Sequence, residues 1–379
     1  MINMHAHRDA SLEAVRRWKA AAPGRRAVGV MPVYAPREIL HAAGVLPVGL
    51  RGFGELEIVR GDAFYQSYIC HLPRSIVEMA LGPGRGVLDG LICPAICDVI
   101  RNLSGVWKME FPDDFVNYLD VPQNFDPEVG GRFYRGELEH LRVSMERLAD
   151  RPLCDADLHV SIAHYNRNRA LVRELYARRV EEPWRIPTDE LFSIVREGDV
   201  LPVEEHNAAL DDYRREIETR DTRPLDNVRV VLVGAFCEQP PLGLLKTLGR
   251  AGCYVVDDDL CLGSRWFDRD VAVHGDPIAA LVDAYLNAST WSSLRYEAGV
   301  PKGPQLVERV RACRADGVIF CAPSFCDPAL LDQPMYQKAL AGAGIPFSTI
   351  KYAENTGQFH AMKEQAGTFA DSIRLWGDA

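Results

Sequence analysis

No apolar run approaches the roughly 18 uninterrupted residues of a bilayer-crossing helix, so nothing in this 379-residue chain reads as a membrane span. Basic clusters are missing too. The 43 Lys and Arg residues are scattered and outnumbered by 53 Asp and Glu, for a formal net charge of −10. A surface of that sign repels phosphate backbones and anionic headgroups, which argues against nucleic-acid or membrane-surface binding. Any phosphate-bearing ligand must be caught by a local pocket. The Gly-x4-Gly-Lys-Ser/Thr loop is absent, so the chain is not expected to hydrolyse ATP by that route. Residues 1–26 carry His5, His7, Arg8, Asp9 and Glu13 without an apolar core and a small-residue cleavage site, and so do not read as an export signal. A cytoplasmic location is expected. No Cys-x2-Cys pair occurs either, which removes the usual spacing of zinc ribbons and bacterial ferredoxins.

Cysteine itself is present ten times. In a reducing compartment these are expected as thiols or metal ligands rather than disulfides. With 47% hydrophobic and 25% charged residues the composition is that of a globular protein, and the length corresponds to two domains of roughly 150 residues or more. Short apolar runs alternate with amphipathic ones. RAVGVMPVY (26–34), residues 46–50 and GLIC (90–93) read as strands, and residues 36–43, 72–81 and 97–103 as helices. Pro36 suits a helix start, Gly44 its stop, and Gly82-Pro83-Gly84 ends the next one. Leu138, Leu141, Met145 and Leu148 recur at helical spacing, the pattern continues through 160–175, and 181–224 holds little strand-like sequence. VRVVLVG (228–234), 253–257, GVIFC (317–321) and 345–352 then read as strands, with helices at 241–250, 303–315, 333–341 and 358–375. The chain is therefore expected to be α/β. Two doubly wound, flavodoxin- or Rossmann-like domains with mostly parallel sheets, at 1–135 and 226–379, are joined by a helical connecting region at 136–225.

In open α/β sheets ligands bind beyond the carboxyl ends of the strands, and six cysteines fall near such positions. Cys93 ends GLIC and Cys97 follows it; Cys237 follows VRVVLVG; Cys321 ends GVIFC and Cys326 follows it; Cys70 precedes a helix whose N-terminal dipole favours a thiolate. Thiols from both halves can thus converge on one cleft, and thiolates there suit iron–sulfur clusters or zinc. The Cys-x3-Cys and Cys-x4-Cys spacings carry little specificity alone. Free cysteine is also among the most buried residue types, so packing is the competing reading, and the preferred one for Cys154, Cys253, Cys261 and Cys313. The Gly82–Gly86 segment reads as a turn, since it follows a helix and Pro83 lacks an N–H. Asp257-Asp258-Asp259 reads as a solvated strand end rather than a hard-cation site. His71 and His360 are candidates for proton transfer, with packing or surface roles the commoner outcome.

Taken together, PREILHAAGVLPVGLRG (36–52), SYICHLPRS (67–75), LICPAICDVIRNL (91–103), FCAPSFCDPALLDQP (320–334) and GIPFSTIKYAEN (344–355) resemble the family of 2-hydroxyacyl-CoA dehydratases and ATP-dependent benzoyl-CoA reductases. The resemblance covers nearly the whole chain. It implies two related subunits, each of two α/β domains, with an iron–sulfur cluster held on three cysteines that map onto Cys70, Cys97 and Cys326. Length and the ending ENTGQFHAMKEQAGTFADSIRLW are most similar to a smaller cluster-binding subunit of the reductases. Cys93, Cys237 and Cys321 depart from the basic family pattern. Six thiols can hold an 8Fe–9S double cubane, as in some family members, and that cluster is the one expected, with Cys93, Cys237 and Cys321 completing it; the alternative is a single 4Fe–4S cluster on three thiols with the others as bystanders.

The function so implied is that of an iron–sulfur oxidoreductase subunit in an ATP-dependent benzoyl-CoA reductase. It would deliver low-potential electrons for reductive dearomatisation of benzoyl-CoA, or a substituted analogue, to a cyclic dienoyl-CoA. The implied partners are a homologous larger subunit that binds cluster and substrate, and ATPase activator-type subunits carrying a bridging iron–sulfur cluster. The CoA thioester would lie between the two domains or on the sister subunit, with Arg74 or Arg101 near the cluster loops. Three alternatives remain open: a 2-hydroxyacyl-CoA dehydratase subunit, a homodimeric double-cubane reductase of small molecules, and a non-catalytic cysteine-rich scaffold or zinc protein.

Overall fold

A computed structural model describes residues 4–31, 33–52, 56–234, 236, 240–353 and 359–376. The first half runs α1 (Met4–Ala20), β1 (Arg26–Val30), α2 (Arg37–Ala42), β2 (Val45–Gly49), α3 (His71–Leu81), β3 (Gly90–Pro94), α4 (Asp98–Glu110) and β4 (Phe115–Leu119). A helical layer follows, with α5 (Arg132–Ala149), α6 (Asp155–Glu181), α7 (Thr188–Glu197) and α8 (Val203–Thr219). The second half comprises β5 (Val228–Val233), α9 (Leu242–Arg250), β6 (Cys253–Asp258), α10 (Pro277–Ala288), α11 (Lys302–Ala312), β7 (Gly317–Pro323), α12 (Asp327–Gly342), β8 (Phe347–Tyr352) and α13 (Phe359–Trp376). Among the described residues no helix is long and apolar enough to cross a membrane.

Each set of four strands forms one all-parallel sheet, and the two sheets share an order: β2-β1-β3-β4 and β6-β5-β7-β8. The expected α/β class is thus observed. In both sheets the order reverses between the first and third strands, β1/β3 and β5/β7, where diverging loops open a crevice at the carboxyl ends. β3 (GLICP) and β7 (GVIFCAP) are buried along their whole length, as unbroken apolar strands covered on both faces must be. β4 and α10 lack the sequence signatures that marked their neighbours. FVNYL is a half-buried edge strand carrying Asn117, and α10 is apolar nearly all round because it is packed on α5 and inside the core. Its start was encoded: Asp276 accepts from the Ile278 and Ala279 amides at 2.9 and 3.0 Å, with Pro277 in the first turn.

One apolar cluster runs from β1 and β3 through α5, α6 and α10 and reaches Ala322, Cys326 and Ala329 of the second half, so the halves share packing where α12 begins. Buried ion pairs reinforce the joint. Asp199, just past α7, accepts from Arg51 Nε at 2.6 Å and Arg37 Nη2 at 3.1 Å, while its carbonyl accepts from Gly49 N at 2.7 Å. The Asp257-Asp258-Asp259 run corrects the expectation of a solvated strand end, since all three side chains are buried. Arg309 donates to Asp257 at 2.5 Å and to Asp259 at 2.6 Å, Arg265 to Asp257 at 2.9 Å, and Arg179 to Asp258 at 2.6 Å. These arginines come from α6, α11 and the loop after β6. Partners so distant in sequence make the acidic run a fastening of β6 to its helices, invisible to local reading.

His206 of α8 yields a pH-dependent expectation. It is buried, accepts from Asn168 Nδ2 at Nδ1 (2.9 Å) and donates from Nε2 to the Ile194 carbonyl (3.0 Å), which fixes one neutral tautomer. Burial pushes its pKa down to about 4 against a small upward pull from the Ile194 carbonyl and Asp199. Between an ordinary value near 6.5 and 4 the unfolded chain binds a proton that the folded chain refuses, so stability declines as pH falls through this window. Urea unfolding at stepped pH is expected to show this group costing on the order of 1 kcal/mol per pH unit across it. The pH slope should shrink in His206→Gln.

Candidate functional site

Cys97 and Cys326 occupy matching places in the two halves. β3 ends at Pro94 and β7 at Pro323; each cysteine comes three residues later, caps the next helix, and is followed by an aspartate in the first turn, Asp98 or Asp327. CPAICD and CAPSFCD are therefore two copies of one strand-to-helix turn, a local repeat that residue-by-residue comparison of the halves passes over. Cys70 caps α3 in the same manner. All three take non-helical N-cap backbone, at φ −56°, −161° and −86° for Cys70, Cys97 and Cys326. Each sulfur thus sits at the positive end of a helix of eleven residues or more, where a thiolate is favoured. The turn into α12 stores strain: Phe325 is held at φ +65° immediately before Cys326, a conformation costly for a residue with a Cβ.

Four of the six sequence-nominated cysteines belong to the large apolar cluster that spans both halves or pack against it. Cys93 and Cys326 belong to the shared core cluster, and Cys70 and Cys97 pack against it half-buried. Cys97 lies within electrostatic reach of Asp327, the residue after Cys326. Burial raises the Cys97 thiol pKa, the amides of Ile100 and Val99 oppose this, and Asp98 and Asp327 push it further up. Cys321 is instead buried among β5, β8, α9 and α13 residues in a separate cluster, its thiol pushed up to about 12 by burial alone. Burial likewise raises Cys93 strongly. Cys237 lies outside the described residues. Of the remaining cysteines, Cys253 and Cys261 are buried, Cys154 caps α6 with Asp157 at 3.2 Å, and Cys313 sits just past α11. No disulfide joins the described cysteines.

The surrounding residues hold the thiols in place. Glu78 of α3 accepts from the amides of Val59, Arg60 and Gly61 at 2.9, 2.5 and 2.9 Å, pinning the loop that leads to Cys70. Gly61 is required there, because a Cβ would collide with the Arg74 carbonyl. Arg74 donates to Asp62 at 2.8 Å on the same loop. His71 is buried, and burial, helped by the Arg74 charge, lowers its pKa to about 4, so it is neutral at pH 7. Tyr65 packs against the same apolar cluster, within electrostatic reach of Cys93 and Cys70, and its hydroxyl is buried and without a hydrogen-bond partner among the described residues. Arg101 covers the Tyr118 ring at 5.7 Å. The Gly82–Gly86 segment is a turn, and His360 is exposed on α13.

Among the described residues no three His, Cys, Asp or Glu side chains stand close enough together to hold a single metal ion. Three thiols at helix N-termini and a partnerless buried phenol are chemistry that suits an iron–sulfur cluster: anionic sulfur ligands and a donor toward sulfur.

The model of the family described as 2-hydroxyglutaryl-CoA dehydratase, D-component, matches residues 32–373. A benzoyl-CoA reductase component of Thauera aromatica, the one lettered C in that enzyme, is 48% identical over 372 residues, covering 98% of this chain and 96% of that one. The beta subunit of lactoyl-CoA dehydratase from Anaerotignum propionicum is 27% identical over 359 residues, 93% of each chain. The beta subunit of (R)-2-hydroxyglutaryl-CoA dehydratase from Acidaminococcus fermentans is 26% identical over 359 residues, 94% of each.

Proposed function

Because the chain belongs to the 2-hydroxyglutaryl-CoA dehydratase D-component family, we propose that it is the iron–sulfur subunit of an ATP-dependent benzoyl-CoA reductase. In this reading it passes low-potential electrons toward benzoyl-CoA, or a ring-substituted analogue, which is reduced to a cyclic dienoyl-CoA. The observation that carries the choice is the much higher identity to the reductase protein than to the dehydratase beta subunits, over equally complete alignments. Reductases and dehydratases of this family are CoA-thioester enzymes built from subunits, as their names state.

Cys70, Cys97 and Cys326 would hold the cluster, each from the first turn of its own helix. The cluster, when bound, supplies one-electron chemistry at low potential. This chain's residues set the conditions for it. The capping positions direct helix dipoles at the sulfur ligands, the apolar cluster that includes Cys93, Ala322 and Ala329 backs them, and neutral His71 adds no charge beside Cys70. A homologous larger subunit would bind substrate, and ATPase activator-type subunits with their own bridging cluster would energise the electron; the absence of a Gly-x4-Gly-Lys-Ser/Thr loop here agrees with that division.

The test is anaerobic copurification with the longer homologous subunit, followed by incubation with the ATPase subunits, ATP, a strong reductant and benzoyl-CoA. Formation of the cyclic diene is expected, with about four irons and matching acid-labile sulfide in this chain. Enoyl-CoA from a 2-hydroxyacyl-CoA with no diene would make it a dehydratase subunit, and zinc in place of iron would remove it from redox chemistry. About eight irons would recruit the further cysteines into a double cubane.

A further inference from the structure

The geometry points to Tyr65 as a hydrogen-bond donor from this chain to the sulfur of the bound cluster, a role that sets the cluster's potential; this rests on the iron–sulfur reading above. Three observations converge. The Tyr65 oxygen has no solvent exposure and no hydrogen-bond partner among the described residues, although it belongs to a group that normally finds one when buried. It packs against the same apolar cluster as Cys93 and Cys70, and the thiols of both lie within electrostatic reach of it. The segment that carries it cannot swing away, because Glu78 grips the Val59, Arg60 and Gly61 amides upstream and Cys70 anchors it to α3 downstream.

A phenol sealed in this way is destabilising unless an acceptor arrives. Cys93 is a poor one: it is sealed in β3, and burial holds it as a protonated thiol. A phenol offers an O–H to donate, and the buried Tyr65 oxygen has no partner for it among the described residues. An anionic cluster sulfide or the Cys70 thiolate is the acceptor this donor lacks. Donation to cluster sulfur stabilises the more negative, reduced state and raises the potential. Tyr65 would thus keep the cluster reducible by the activator while the apolar surroundings keep it a strong donor.

Tyr65→Phe removes one oxygen and keeps the ring, so fold and iron content should be retained. Anaerobic redox titration monitored by electron paramagnetic resonance is expected to show about a tenfold lower ratio of reduced to oxidised cluster at a fixed potential, a shift of about 59 mV to the negative for a one-electron couple. In buffer made with deuterium oxide, the wild-type cluster should show an exchangeable deuteron coupling that the variant lacks, which a packing role would not produce. A variant with wild-type iron, unchanged potential and the same deuteron coupling would overturn the role of Tyr65 and leave the function standing. Wild-type protein without iron or acid-labile sulfide would overturn both.

Discussion

Replacing Cys97 by Ala is expected to leave a folded protein stripped of iron. The side chain is half-buried at the surface of the core rather than within it, so truncation opens no closed cavity. It does remove a sulfur that accepts from the first-turn amides of α4 and lies within electrostatic reach of Asp327 at the start of α12. A cluster on three thiolates has no spare protein ligand, and losing one should cost more than the roughly 10- to 100-fold typical of a supporting residue, so reductase activity should fall by at least about 100-fold. Cys70→Ala and Cys326→Ala should behave alike, because all three occupy the same capping position. Cys321→Ala is the discriminating comparison. Its side chain lies in another apolar cluster, and the variant should keep its iron while losing some stability to the small cavity. Iron and sulfide analysis of the four anaerobically purified variants checks the set. Full iron in Cys97→Ala would remove that residue from the site, and half the iron in Cys321→Ala would extend the cluster to the additional thiols.

The sequence made the parallel sheets and cysteine positions legible because both depend on local pattern. Buried strands such as GLIC and GVIFC are short apolar runs bounded by turn residues, and the cysteines after them stand where any doubly wound sheet opens its crevice. What stayed hidden depends on distance in the chain. Nothing near Asp257 announces Arg309, and nothing near Cys93 announces that Tyr65 lies within electrostatic reach of it. The facing of Cys321 was equally out of reach. Neighbouring residues of a strand point to opposite faces, and only the packed sheet reveals that Cys321 turns with Ile319 toward α9 and α13, while Phe320 turns toward α11 and α12. The matched CPAICD and CAPSFCD turns were visible in principle, but their significance comes from the shared strand order, which makes them the same corner of two related sheets.

Asp199→Ala is expected to cost about 3–5 kcal/mol of stability, the range for breaking a buried ion pair from one side. Arg51 is 1% exposed and Arg37 11% exposed, and both direct guanidinium donors at the one carboxylate, which is itself 5% exposed. The Arg51 and Arg37 charges, with Arg196 behind them, hold the Asp199 pKa below the ordinary carboxylate range in spite of burial. Removing the carboxylate leaves these cations in a dry interior with no counter-charge, and that penalty, rather than the lost attraction, dominates. Its consequence reaches the site because Asp199 ties the end of β2 to the helical layer, and Arg51 continues to the Leu260 carbonyl of the second half at 3.5 Å. A loosened joint moves the halves that supply Cys70 and Cys97 on one side and Cys326 on the other, so iron retention should fall together with stability. Chemical denaturation with iron analysis on the same samples tests both effects. Asp199→Ala combined with Arg51→Met should recover much of the stability, since the double variant no longer buries Arg51 unpaired. A single variant as stable as the wild type would show that the joint is held by apolar packing alone.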